Sequence, residues 1–116
     1  MAESGQFTIT DAAYDTAQRL CDDGWFTDKS DAGVFAAAFV IRKHFDDVDP
    51  GTLRYSGTHN NQYASVDKDG TWESLIRKLY NTDTPRLYFR NLIIWGLEFI
   101  GKHIQEEGLF QITDFI

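Results

Sequence analysis

The 116-residue chain (13.3 kDa) is 42% hydrophobic and 15% aromatic, which excludes the composition of a disordered chain and is long enough for one core. Eighteen Asp and Glu against eleven Lys and Arg leave a net charge of −7 and a pI near 4.7, so a uniformly basic nucleic-acid surface is excluded. The one cysteine, Cys21, rules out an intramolecular disulfide and argues against a cysteine-rich zinc module.

No basic–apolar leader and no apolar run approaching about 18 residues is visible. The expectation is therefore a cytoplasmic protein with no membrane partner. The charge is uneven. Residues 1–50 carry ten acids and four bases, 51–90 six bases and four acids, and 91–116 four acids and one base. An anionic ligand would meet least repulsion over the middle segment.

The fold class expected is mainly α, a single domain over 1–116, with a short N-terminal strand followed by about four helices. Gln6-Phe7-Thr8-Ile9-Thr10 alternates polar and apolar as a strand does, with Phe7 and Ile9 on one face. Asp11 fits an N-cap for a helix with the stripe Tyr14, Ala17, Leu20 and Cys21, and Gly24 fits its C′ stop with Trp25-Phe26 as the apolar contact. Ser30 or Asp31 is suited to cap a second helix whose stretch from Val34 to Ile41 is apolar nearly all round, and so central. Residues 46–70 read as a long loop, with turns at Asp49-Pro50-Gly51 and Asp67-Lys68-Asp69-Gly70 and a short strand near 63–66. Trp72, Leu75, Ile76, Leu79 and Tyr80 mark a third helix, and Thr84-Pro85 opens a fourth that Gly108 stops, the two spanning 71–108. The apolar tail 109–116 should pack on its own domain or on a partner.

The first 45 residues carry the order strand, helix, Gly-containing turn, helix. This unit, 6–45, resembles a ribbon-helix-helix domain, in which two chains pair their strands and lay the ribbon in the DNA major groove. The resemblance implies a homodimer or higher homo-oligomer, base contacts from Gln6, Thr8 and Thr10, and phosphate contacts from Lys29 and Ser30 at the start of the second helix. A second resemblance covers most of the chain, from about Phe7 to Ile112. Lys29, Asp31 and Ala37, followed late in the chain by Gly96-Leu97-Glu98, look like the small accessory proteins of prokaryotic DNA phosphorothioation (Dnd) systems. It implies association with a DNA-modification or anti-phage locus and transfers no catalytic residue.

Catalytic patterns are not visible. His44, His59 and His103 lack metal-ligand spacing, Asp67-x-Asp69-Gly70 lacks the remaining ligands of a calcium loop, and no nucleophile elbow, phosphate loop or dinucleotide fingerprint occurs. No metal, cofactor or enzymatic activity is expected, and Cys21 reads as a small buried residue. The acid pairs Asp22-Asp23, Asp46-Asp47 and Glu106-Glu107 read as exposed helix ends. One constellation suits phosphate or single-stranded nucleic acid: Arg54 with Tyr55, His59 and the neighbouring asparagines, then Arg77, Lys78, Arg86 and Arg90 on the two late helices.

Three functions follow as expectations. The first is a non-enzymatic accessory protein of a DNA-modification or defence locus, binding DNA or a larger protein subunit. The second is a protein–protein interaction module that does not bind DNA, and the third a ribbon-helix-helix antitoxin or repressor.

Overall fold

The computed structural model describes residues 6–57, 59–62 and 66–116. In chain order these form β1 (Gln6–Ile9), α1 (Asp11–Asp22), α2 (Lys29–His44), a 3-10 turn at Pro50–Thr52, β2 (His59–Gln62), α3 (Thr71–Tyr80), α4 (Pro85–Glu107) and a 3-10 turn at Ile112–Phe115. The architecture is mainly α with a short N-terminal strand, as the sequence indicates. Among the described residues no helix is long and apolar enough to cross a membrane.

Helix boundaries follow local chemistry, with two caps shifted from expectation. Thr10, not Asp11, caps α1: its Oγ1 accepts from the Ala13 N–H at 3.2 Å. Asp28, not Ser30 or Asp31, caps α2, accepting from the Ser30 N–H at 2.7 Å. In both cases the residue one or more places earlier is the one in extended backbone. α1 stops as expected at Gly24, whose φ of +86° lets the Trp25 N–H reach the Leu20 carbonyl at 3.0 Å. α3 begins on the Asp67 carboxylate, which accepts from the Trp72 and Glu73 N–H groups at 2.9 and 3.0 Å and so uses the turn before it as a cap. Asp69 accepts from the Thr71 side chain and from the Thr71 N–H, and these bonds hold its carboxyl below the usual carboxylate range.

α4 is the spine. Its 23 residues run about 35 Å through a molecule of 42 × 28 × 26 Å and touch α1, α2, α3, the Pro50 turn and β1. Three contacts advance in step along α2 and α4: Gly33 with Ile93, Ala36 with Gly96, and Phe39 with Phe99. The two helices therefore lie side by side in the same direction. A Cβ on Gly96 would sit 2.6 Å from the Ala36 carbonyl oxygen, so only glycine permits the approach. Residues Leu92, Ile93, Ile94, Leu97 and Ile100 of α4 are buried around this contact, with Ala32, Ala36, Ala37 and Val40 of α2 facing them. The tail closes the core: Phe110 and Phe115 are buried and stack at 5.3 Å, and Phe115 meets Phe39 edge-on at 5.0 Å.

The stretch read as a loop holds a strand. β2 pairs antiparallel with β1 in the register Gln6 to Gln62, Phe7 to Asn61, Thr8 to Asn60 and Ile9 to His59. His-Asn-Asn-Gln has no strand pattern of its own; the hydrogen-bonding groups of β1 and the buried Ile9 recruit it from outside. The strand expected near 63–66 falls mostly outside the described residues. Within this chain, then, β1 is partnered along one edge by β2.

Replacing Gly96 with Ala should lower stability by about 1–3 kcal/mol, read as a lower urea midpoint with unchanged slope. Gly101→Ala should cost less, because the atom its Cβ meets, Thr16 Oγ1, can turn away while a backbone carbonyl cannot.

Candidate functional site

Most of the ten residues nominated for nucleic acid make contacts within the chain. Arg90 is turned inward. Its Nε donates to the Thr8 carbonyl at 2.7 Å and its two terminal nitrogens to the Tyr55 carbonyl at 2.9 Å and the Asn91 side-chain oxygen at 3.1 Å. Burial pulls its pKa below the usual arginine value, with no loss of charge at neutral pH. Asn91, fully buried, passes the connection on by donating to the Pro50 and Leu53 carbonyls at 2.8 and 3.3 Å. Arg90 thus ties β1 and the 53–57 segment to α4, a role invisible in sequence because its partners are backbone carbonyls far along the chain.

The other nominated groups are also engaged. Thr10 Oγ1 donates to the Glu98 carboxylate while it caps α1. Thr8 is half-buried, and Gly57 lies against it so closely that a Cβ there would overlap the Thr8 side chain. Lys29 reaches Gln18 Oε1 at 3.3 Å and sits 5.4 Å over the Tyr14 ring. Ser30 supplies its N–H to the Asp28 cap. Arg54 donates to the Gly51 and Leu53 carbonyls, both at 2.9 Å. Arg77 and Arg86 share Glu73, at 3.0 and 3.9 Å. Lys78 stands exposed on α3, and the Gln6 side chain lies outside the described residues. Most of the residues in the expected base-reading set and the expected basic face thus make contacts within the chain.

The histidines occupy three separate places, each beside one carboxylate: His44 and Asp47 at 3.3 Å, His59 and Asp11 at 2.9 Å, His103 and Asp114 at 3.4 Å. His59 also stacks on Tyr14 at 4.0 Å, nearly parallel, which pins β2 to α1. Cys21 is partly rather than fully buried, and burial pushes its thiol pKa up, away from nucleophilic use at neutral pH.

A groove of about 840 Å³ runs between α1 and α4, with Asp15 and Arg19 on one wall, Glu98, Phe99 and Lys102 on the other and Tyr55 among its lining residues. Acid and base alternate along both walls, so it has no single sign of charge. The Tyr55 hydroxyl is pushed up to about 12 by burial, Glu98 adding to the rise and Arg90 opposing it, and it stays protonated at neutral pH. Large apolar side chains are meanwhile exposed: Trp25 and Leu109 near the ends of α1 and α4, Leu75 and Leu79 on the outer face of α3, and Leu87 early in α4. No family model, curated protein or solved structure matches the chain.

Two expected outcomes test this placement. Arg90→Ala should destabilise by about 3 kcal/mol in urea, since it strands carbonyls that water reaches poorly; a change within a few tenths would place Arg90 on the surface. The second concerns pH. Tyr55 and Tyr80 are both raised to about 12 by burial from an ordinary 10, so their contribution to stability is complete below pH 10 and lost as pH climbs through 12. The double variant Tyr55→Phe/Tyr80→Phe should flatten the alkaline limb of the stability curve over that window.

Proposed function

We propose that this chain is a non-enzymatic, cytoplasmic accessory protein of a DNA-modification or anti-phage defence locus, and that it acts by binding a partner subunit. The locus comes from the resemblance carried by Lys29, Asp31, Ala37 and Gly96-Leu97-Glu98. The mode of action rests on one observation: in an acidic chain the arginines nominated for phosphate are spent on Glu73 and on internal carbonyls, while leucine and tryptophan side chains stand in solvent. Phosphate affinity requires cations free to exchange their counterions for phosphate, and guanidinium N–H groups already committed to a carboxylate or to carbonyls within the chain are less free to do so. Exposed apolar side chains of this size, by contrast, are what a protein interface covers.

A homodimer that reads DNA is the second reading, and the β1–α1–α2 order favours it. It asks β1 to pair with a second copy although β2 already occupies one edge and Arg90 grips the Thr8 carbonyl.

Size-exclusion chromatography with light scattering separates the two. Co-expressed with the products of its neighbouring genes, the protein should elute in a complex with one of them. Alone, it should ignore a short duplex at about 100 mM salt. A duplex shift that weakens as salt rises, and that disappears when Arg54, Arg77, Lys78 and Arg86 are reversed in charge, would overturn the partner reading.

A further inference from the structure

The C-terminal ends of α1 and α4 repeat one pattern. Asp22-Asp23-Gly24-Trp25-Phe26 follows α1, and Glu106-Glu107-Gly108-Leu109-Phe110 follows α4: two acids, a glycine, an exposed apolar residue, then an inward aromatic. Both glycines have left-handed backbone, with φ of +86° and +85°, so each helix stops abruptly and throws the next side chain outward. Trp25 is 42% exposed and Leu109 51%, while Phe110 is buried. The Trp25 and Phe110 rings meet edge-on at 5.1 Å, which brings the two helix ends together.

The charges here run against helix electrostatics. A helix C-terminus carries partial negative charge, and cations belong there. α2 and α3 obey this, with Arg42, Lys43 and His44 in one last turn and Arg77 and Lys78 in the other. α4 has no base in its last turn and ends in Glu106 and Glu107; α1 has Arg19, which Asp23 neutralises at 2.9 Å, leaving Asp22. The two helices that end in acids are the two that meet around the exposed Trp25 and Leu109. A hollow beside Leu109 is lined by Glu107 and by Asp114, the latter beside His103 at 3.4 Å.

We propose that this end of the molecule is the surface on which the partner docks, and that the partner presents a basic segment with an apolar anchor between lysines or arginines. The inference rests on the accessory-protein reading above and deepens it by naming the surface and the chemistry of its occupant. The apolar centre supplies contact area, and the rim of carboxylates, reinforced by two helix C-termini, selects for cations and steers their approach. A second copy of this chain is disfavoured as occupant, because its matching surface carries the same sign of charge.

The probe is a short Lys/Leu amphipathic peptide, with its Glu/Leu counterpart as control, titrated into the full chain and followed by fluorescence anisotropy of the labelled peptide. The Lys/Leu peptide should bind and the Glu/Leu peptide should not. Trp25→Ser/Leu109→Ser and Glu106→Lys/Glu107→Lys should each weaken binding by about tenfold or more, while Leu75→Ser/Leu79→Ser on α3 should leave it within about twofold. The lysine variant should also raise the unfolding midpoint, because it removes acids from a helix C-terminus; a merely structural role for Glu106 and Glu107 would lower it. Equal binding of both peptides, binding of neither, site variants that bind like wild type, or loss in the α3 variant would each overturn the proposal. So would self-association abolished by Trp25→Ser/Leu109→Ser. In the co-expressed complex, a partner shed by the α3 variant and kept by the site variants refutes this surface alone. A wild-type chain that forms no complex with any neighbouring gene product refutes the accessory reading itself.

Discussion

The backbone contact between α2 and α4 at Ala36 and Gly96 constrains nearly everything else. With a Cβ forbidden at Gly96, the helices approach more closely than leucine-lined neighbours could. α2 then has little side-chain volume of its own facing α4, and its remaining sides must be apolar to meet α1 and the aromatic tail, which accounts for the weak amphipathicity of Val34 to Ile41. Larger groups fill space where the small residues give out. Phe39 packs on Phe99 at 5.4 Å at one level, and Phe35 reaches Phe110 at 6.3 Å at another. Four of the six residues that carry the resemblance to phosphorothioation accessory proteins, Ala37 and Gly96-Leu97-Glu98, lie on or beside this packing, while Lys29 and Asp31 are exposed at the start of α2. Ala37 and Leu97 are buried, Gly96 makes the crossing, and Glu98 accepts from the Thr10 hydroxyl that caps α1. That pattern speaks first about packing, and about a locus only through it.

The second constraint is a half-buried cation. Arg90 collects three oxygens that the fold would otherwise leave poorly solvated, from β1, from the segment after the Pro50 turn and from Asn91. A lysine could not replace it, because the guanidinium serves divergent acceptors from a fixed plane. The β1–β2 ribbon is held against the helices by this group, by the buried Ile9 and by the His59–Tyr14 stack, each anchoring a different point of a sheet two strands wide. Such a small sheet is marginal alone and depends on what it packs against.

The helices were legible because their signals are local. Gly24 and Gly108 are left-handed stops, Pro85 is a first-turn residue, and the α3 stripe shows its period within ten residues. β2 was not legible, since His-Asn-Asn-Gln becomes a strand only by pairing with residues fifty or more positions away. The caps at Thr10 and Asp28 were missed by one to three positions because several residues at each boundary carry a suitable oxygen, and backbone conformation chooses among them. The internal contacts of the basic residues were not legible for a further reason. Spacing on a helix tells which residues share a side; it does not tell whether that side meets solvent or another segment's carbonyl groups. Arg86 and Arg90 do lie one turn apart, yet one pairs with Glu73 and the other points into the fold.

That internal use of cations changes what the net charge means. Arg19, Arg77 and Arg86 face carboxylates of their own chain, and Arg54 and Arg90 face carbonyls, so five of the six arginines make contacts inside the molecule. Carboxylates such as Asp22, Glu106 and Glu107 stand exposed at the surface, Asp22 accepting from the neutral Gln18 amide at 2.8 Å. The field felt by an approaching molecule is set by what is exposed and unneutralised, and here that is more uniformly acidic than the arithmetic of eleven bases suggests. Solubility alone would be served by acids placed anywhere on the surface. Placing them at the ends of α1 and α4, where the helix dipole makes them costly, and around apolar side chains that gain by being covered, is an arrangement that folding does not require and that binding a basic partner would.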